Sequence, residues 1–373
     1  MPKRRSGIIN KIERLISVLS NCSKRISPAD PMLQYMGRID FSNPDAPVFA
    51  YPCTNVKIRF RGTAIHLDLT NLHSYYENAV GVILDGLQRK IVLSDSRREQ
   101  IPIGEDLPDE VHELMVFKRM DACHHFVFHG FLLPEDAQVL PLPEKPRRRM
   151  EFYGDSVTAG EVCELEGYCG KADPPHNGQY SNSFYSYAWI TARRLNAQIH
   201  DVAQGGIALL KGTGYYCAPE LIGMEQMYDK IQSNPNIELP KPWNFAEYTP
   251  HVVVVAIGQN DNHPADYMEQ GIENEKALHW RARYLAFIRR LRGLYPNATI
   301  ILSTTILNHC QNWDLAIDAV WRELADPKIH HFLYSNNGCG TPGHIRASEA
   351  ENMARELSTF IESLGEEIWE DTV

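Results

Sequence analysis

The chain's most constraining feature is a change of hydrophobic period close to residue 147. From Tyr35 to about Pro146 apolar residues recur at every second position. Val56, Ile58 and Phe60 alternate with Asn55, Lys57 and Arg59, and Ile65, Leu67 and Leu69 alternate with His66, Asp68 and Thr70. That period belongs to strands buried on one face. Val80, Val82 and Leu84 run into Asp85-Gly86 and continue through Ile91, Val92 and Leu93, a hairpin signal, while Val116, Phe126, Phe128 and Phe131 mark further short runs. Many short strands with turns between them predict an all-β sandwich over 31–146. The Pro-rich, basic run Pro141–Arg149 reads as a linker.

Beyond it, short apolar runs alternate with helical patterns. Met150–Tyr153, Ile199–Ala203, Val252–Ile257, Thr299–Thr304 and His331–Tyr334 are the candidate strands. Ala350, Met353, Ala354, Leu357, Phe360, Ile361 and Leu364 form one apolar helix face. This alternation over 147–373 predicts a five-stranded parallel sheet covered on both faces, with any ligand crevice at the carboxyl ends of its strands. A length of 373 residues suits two such domains.

Residues 1–30 are expected to form a helical extension. Ile8, Ile12, Leu15 and Leu19 share a helix face, and Lys11, Glu13 and Arg14 interrupt the apolar run that a signal peptide needs. No stretch of 18 consecutive apolar residues predicts a membrane span. Lys plus Arg number 37 against 47 Asp plus Glu, and the resulting charge of −10 disfavours nucleic acid and anionic bilayers as partners. Eight cysteines lacking a framework spacing suit reduced thiols in a cytoplasm. Cys163, Cys169 and His176 fall short of a tetrahedral zinc set, so no metal is expected. His124, His125 and His129 sit in the strand pattern and read as structural.

Four loops at predicted strand ends carry chemistry. The first strand exits through Gly154-Asp155-Ser156, where a serine at a strand end stands as a nucleophile would; a turn or helix cap accounts for the same three residues. The second exits through Ala203-Gln204-Gly205-Gly206, whose paired glycines let backbone amides approach a ligand as an oxyanion site requires. After the third comes Gly258-Gln259-Asn260-Asp261, in which Asn260 offers an amide N–H₂ to an oxyanion or simply forms an Asx turn. Gly340-Thr341-Pro342-Gly343-His344 precedes the last helix and brings an imidazole, the natural base at neutral pH, toward the same edge.

Taken in order, Gly154-Asp155-Ser156, Gly206, Gly258-Gln259-Asn260-Asp261 and His344 resemble the SGNH hydrolase superfamily. With the strand-rich first half and the run Tyr187–Ala197, the chain resembles carbohydrate esterase family 2 from about residue 35 onward. The resemblance implies a jelly-roll-like sandwich before a flavodoxin-like, three-layer SGNH domain. It also implies removal of O-acetyl groups from sugars without metal or cofactor. Carried over by motif, Ser156 is the nucleophile, His344 its base, and the oxyanion donors are Ser156, Gly206 and Asn260. Relatives commonly place Asp three residues before the His. That position is Thr341, so a backbone carbonyl of the Cys339–Pro342 loop is expected to accept from His344 Nδ1–H.

Trp313, in the loop after the fourth strand, is the best-placed sugar platform, with core packing as the alternative reading of the same ring. Asp155 and Asp261 are further expected substrate contacts, and Tyr180 and Trp243 are weaker aromatic candidates that core filling would equally explain. The expected substrate is an acetylated oligosaccharide, manno- or xylo-configured. The alternatives are an SGNH lipase or thioesterase acting on other acyl groups, and a catalytically silent carbohydrate-binding protein.

Overall fold

The computed structural model describes residues 22–95, 97–232 and 234–371. The expected helix bearing Ile8 to Leu19 lies outside them. Within them, Lys24–Ile26 is a strand paired with His124–Leu133, so the sandwich begins earlier than residue 31 and the helical extension does not reach residue 30. Ile26 explains this, since its side chain is buried in the sandwich core.

The period-two stretch folds as two six-stranded antiparallel sheets. One runs in the order Ile39–Asp40, Val48–Phe49, His124–Leu133, Ile65–His73, Arg98–Gly104, with Lys24–Ile26 on His124–Leu133. The other runs Gln138–Leu140, Asn55–Arg61, Val111–Lys118, Ala79–Leu84, Leu87–Val92, with Gln34–Met36 on Asn55–Arg61. Val56, Ile58 and Phe60 turn inward to meet Leu67, Leu69, Phe126 and Phe128. Burying each such side chain contributes about 1.5–3 kcal/mol, which fixes the register because a one-residue slip would expose the whole set. At the hairpin, Asp85 and Gly86 both take positive φ, 49° and 82°, as a two-residue turn with the strands' own twist demands.

The second half forms a parallel sheet of β1 (Arg148–Gly154), β2 (Ala197–Ala203), β3 (Val252–Ala256), β4 (Thr299–Ser303) and β5 (Ile329–His331), in the order β2-β1-β3-β4-β5. β3 and β4 are buried along their whole length, which is why they read as unbroken apolar runs. Labelled helices are α1 (Ser156–Ala159), α2 (Tyr187–Arg194), α3 (Glu275–Leu294), α4 (Asn312–Leu324) and α5 (Ala347–Ser363). Trp280, Tyr284 and Ile288 of α3, with Trp313 and Ile317 of α4, pack on one face. Trp189 of α2 and Met353, Leu357 and Ile361 of α5 pack on the other. The fifth strand lies two residues earlier than the expected His331. Ile329 to His331 pair with Ile300 to Leu302, and Phe332, whose N–H makes a last bond to Leu302 O at 2.9 Å, lies beyond the strand with its ring stacked on Phe360 of α5. No helix among the described residues is long and apolar enough to cross a membrane.

Arg38 ties the two halves together. It is fully buried, donates through Nη1 to the carbonyls of Tyr228 and Lys230 at 2.7 and 2.9 Å, and pairs through Nη2 with Glu151 Oε1 of β1 at 2.9 Å. Its guanidinium lies 5.0 Å from the Trp243 ring centroid, so Trp243, a candidate sugar contact, serves the domain junction.

Candidate active site

β1 ends at Gly154, and Asp155 then caps the single turn α1 by accepting from Val157 N–H at 3.0 Å. Ser156 is the first residue of that turn, so its N–H has no intrahelical acceptor. Its Oγ lies 2.8 Å from His344 Nε2, across 188 residues of sequence. On the other side of the ring, Nδ1 lies 2.5 Å from Asp173 Oδ2. The expected backbone acceptor in the Cys339–Pro342 loop is therefore replaced by a carboxylate. Asp173 also accepts from His344 N–H at 3.2 Å, and its Oδ1 accepts from Arg346 Nη2 at 2.7 Å. Partial burial alone would raise the Asp173 carboxyl, but these bonds outweigh it and hold the group well below the usual carboxylate range. An ionised Asp173 sets Nδ1 as the protonated nitrogen and leaves the Nε2 lone pair toward Ser156, the geometry of a general base on a nucleophile.

Facing Ser156 are Gly206 and Asn260. Gly206 has φ of +70°, a conformation a side chain resists, and its neighbour Gly205 has no room for one, since a Cβ there would stand 1.9 Å from Glu161 Oε1. Gly205 N–H is held by Asp121 Oδ2 at 2.8 Å, so a carboxylate of the sandwich domain pins this loop. Asn260 donates one amide hydrogen to Ile207 O at 2.9 Å, which orients its second. Gln259 locks the Asn260 loop from behind, donating to Asp155 Oδ2 at 2.8 Å and accepting from Thr305 N–H at 3.0 Å.

Ser156, Gly206, Asn260 and His344 line one cleft of about 720 Å³. The β-sandwich supplies part of its wall through Ser74, Tyr75, Tyr76 and Asp121. Tyr215, 56% exposed and stacked on His263 with ring centroids 4.3 Å apart, stands at its rim.

Three expected substrate contacts are elsewhere. Trp313 is 1% exposed, because the segment after β4 enters α4 and turns the indole edge-on to Trp280 at 5.2 Å. Asp155 is buried as the cap of α1, where burial raises its carboxyl despite the Gln259 and Val157 bonds. Asp261 is buried too, accepting from Leu209 N–H, Leu210 N–H and Thr213 Oγ1, and burial pushes it up to about 6. Both acids brace loops. Tyr180 does not line the cleft. Cys163 is buried on Asn182 O, whereas Cys169 is exposed beside Ser348, and among the described residues no three His, Cys, Asp or Glu side chains gather as a cation site. His124 and His125 are buried in the sandwich.

Asp173, Glu161, Asp121 and Tyr215 carried no motif. For Asp173 a local signal existed: Pro174-Pro175 follow it directly and stiffen the segment that presents it.

The sequence profile described as carbohydrate esterase 2 N-terminal matches residues 35–143. The cellulase/esterase CelE of Acetivibrio thermocellus is 27% identical over 345 residues, 90% of this chain but 40% of that protein's length. An acetylxylan esterase/glucomannan deacetylase of Cellvibrio japonicus is 24% identical over 344 residues, 91% of each. A family two carbohydrate esterase from Clostridium thermocellum, solved with cellohexaose, superposes with a TM-score of 0.74 at 26% identity, covering 91% of this chain and all of that one. Its counterpart from Cellvibrio japonicus gives 0.76 at 22% identity, covering 91% and 97%, a likeness of fold. With its two-layer β domain ahead of a five-stranded parallel sheet, the chain is similar over about nine-tenths of its length to carbohydrate esterases of family 2.

Proposed function

We propose that this chain is a serine carbohydrate esterase that removes O-acetyl groups from oligosaccharides, with xylo- and manno-configured chains as its substrates. The observation that carries the reading is the hydrogen-bonded line Ser156 Oγ, His344 Nε2, His344 Nδ1, Asp173 Oδ2, open to a cleft built by both domains. His344 takes the Ser156 proton as Oγ attacks the acetyl carbonyl, and Asp173 stabilises the imidazolium. The N–H groups of Ser156, Gly206 and Asn260 receive the oxyanion, each worth about 2.7–4 kcal/mol in the transition state. Collapse of the tetrahedral adduct expels the sugar oxygen, which leaves with the proton from Nε2. Water, deprotonated by the same nitrogen, then cleaves the acetyl-enzyme to acetate and restores Ser156.

Several features support a sugar as the leaving group. The cleft wall carries the polar side chains of Ser74, Asn236 and Asn260 beside the acids Asp121 and Glu161, a lining that suits a hydroxyl-bearing sugar better than an acyl tail, which tells against a lipase. Tyr215 offers an aromatic face in place of the buried Trp313. With Asp173 at Nδ1, the missing carboxylate at Thr341 no longer argues for a silent binding protein. The eight unpaired cysteines suit a reducing compartment, hence short substrates taken up from outside.

The test is acetate release from defined acetylated xylo- and manno-oligosaccharides, with Ser156→Ala as control. Release by the wild type and a loss of at least 10³-fold in S156A are expected. Wild-type inactivity on every acetylated sugar, or an S156A variant as active as the parent, overturns the reading.

A further inference from the structure

Glu161 stands beside the Ser156–His344 pair, and the mechanism above gives it nothing to do. Its backbone N–H donates to Ser156 O at 2.9 Å, its side chain is 8% exposed, and Oε2 lies 3.9 Å from His344 Nε2, the nitrogen that faces Ser156 Oγ. A second carboxyl meets it from the other domain. Asp121 and Glu161 crowd the same side of Gly205, where a Cβ would stand 1.9 Å from Glu161 Oε1 and 2.7 Å from Asp121 Oδ2.

Two carboxylates in contact in a buried site do not both ionise. Asp121 is the one built to carry the charge: Oδ2 accepts from Gly205 N–H at 2.8 Å and from Gln204 Nε2, and Oδ1 accepts from Cys123 N–H at 2.9 Å. The proton belongs to Glu161. We propose that Glu161 is a positioning residue, held as the neutral acid against Asp121 so that His344 Nε2 stays free to serve Ser156. The proposal rests on the esterase reading above.

The geometry gives the reason. An ionised Glu161 needs a shift of only about 1 Å to accept from Nε2–H of the imidazolium. It would then hold His344 protonated on the nitrogen that must take the serine proton, and it would set a negative charge beside the oxyanion donors. The neutral acid does neither. Groups facing Glu161 from the sandwich are Asp121, Tyr75, Tyr76 and Cys123. Those from the catalytic domain are Asp155, Asp173 and His344, with Tyr216 on the cleft wall. Lys118 is turned away onto the carbonyls of Met120 and Asp121, and Arg346 onto Asp173. Burial first, and then the acids Asp121, Asp155 and Asp173, hold the Glu161 carboxyl well above the usual range. Glu161 is therefore neutral at low pH and ionises as pH rises.

The experiment is the pH profile of kcat/KM on 4-nitrophenyl acetate for wild type, Glu161→Gln and Asp121→Asn, together with ¹³C-carboxyl NMR of Glu161, assigned from E161Q. The wild type is expected to rise and then fall tenfold per pH unit on the alkaline side. E161Q should rise to a plateau, and D121N should fall at lower pH because the like charge is gone, with the Glu161 signal titrating lower in parallel. Superimposable alkaline limbs in wild type and E161Q, a uniform loss in E161Q at every pH, or a Glu161 signal titrating in the ordinary carboxylate range would each overturn the proposal. Hydrolysis that is absent, or insensitive to S156A, counts instead against the esterase reading. The carboxyl titration then decides by itself whether the pair holds its proton.

Discussion

Replacing Asp173 by Asn keeps the shape of the third group and removes its charge, and the consequence follows from what the two oxygens touch. Oδ1 accepts from Arg346 Nη2 at 2.7 Å, and Oδ2 accepts from His344 Nδ1 at 2.5 Å. Asn has one oxygen for the two positions. The Arg346 guanidinium has donors only, so it takes the oxygen and turns the NH₂ of Asn toward Nδ1. An NH₂ there makes Nδ1 an acceptor, which moves the ring proton to Nε2 and disables the base. The imidazolium also loses its carboxylate, an attraction of about 4 kcal/mol for charges about 4 Å apart at an effective dielectric of about 20. Together these predict a fall in kcat of about 10³ to 10⁴ for D173N. Asp173→Ala loses the attraction without forcing the wrong tautomer, so it should retain more activity than D173N, although it leaves the buried Arg346 without its carboxylate and should melt earlier. The assay is steady-state hydrolysis of 4-nitrophenyl acetate, with a thermal melt to show that each variant is folded. A folded D173N within tenfold of the wild-type kcat would mean that Asp173 does not orient the ring, and the backbone-carbonyl arrangement read from Thr341 would return.

Two further expectations follow. Arg38→Met leaves Glu151 buried without its partner and should cost about 3–5 kcal/mol in urea unfolding, whereas the double variant R38M/E151Q should recover most of it; a loss under about 1 kcal/mol in the single variant would mean that the buried pair does not hold the domains together. Tyr215→Ala should raise KM for acetylated oligosaccharides about tenfold with little change in kcat on 4-nitrophenyl acetate, and an equal effect on both substrates would show that the ring is no sugar platform.

What the sequence made legible is what local periodicity encodes. Alternation located the sandwich strands, unbroken apolar runs located β3 and β4, and i, i+3, i+4 spacing located α5, because each pattern records which face of an element is dry. The same rule would have kept Trp313 out of the site. Trp313, Ala316, Ile317 and Val320 share that spacing and face the core of α4, a stripe hidden while the Trp was read as part of a loop. β5 misled for the converse reason: Phe332 and Tyr334 are apolar through contacts with helices, whereas the hydrogen-bond ladder ends near His331.

The groups that escaped the sequence share a different property, for each gains its meaning from a partner far along the chain. Asp173 lies in irregular backbone 171 residues before the histidine it contacts, and Asp121 meets Gly205 84 residues on. Periodicity carries no information about such pairs, since it reports burial and not identity of the neighbour. Their physical trace is a cost: Gly205 tolerates no side chain because two carboxyls converge on it, and the buried charge of Arg346 is met by the Asp173 carboxylate. On the esterase reading proposed above, the sandwich domain takes part in the chemistry as well as in the fold, since the loop carrying Gly206, the proposed oxyanion donor, is pinned by Asp121 through the adjacent Gly205 amide, and the first domain docks through Arg38 on the second.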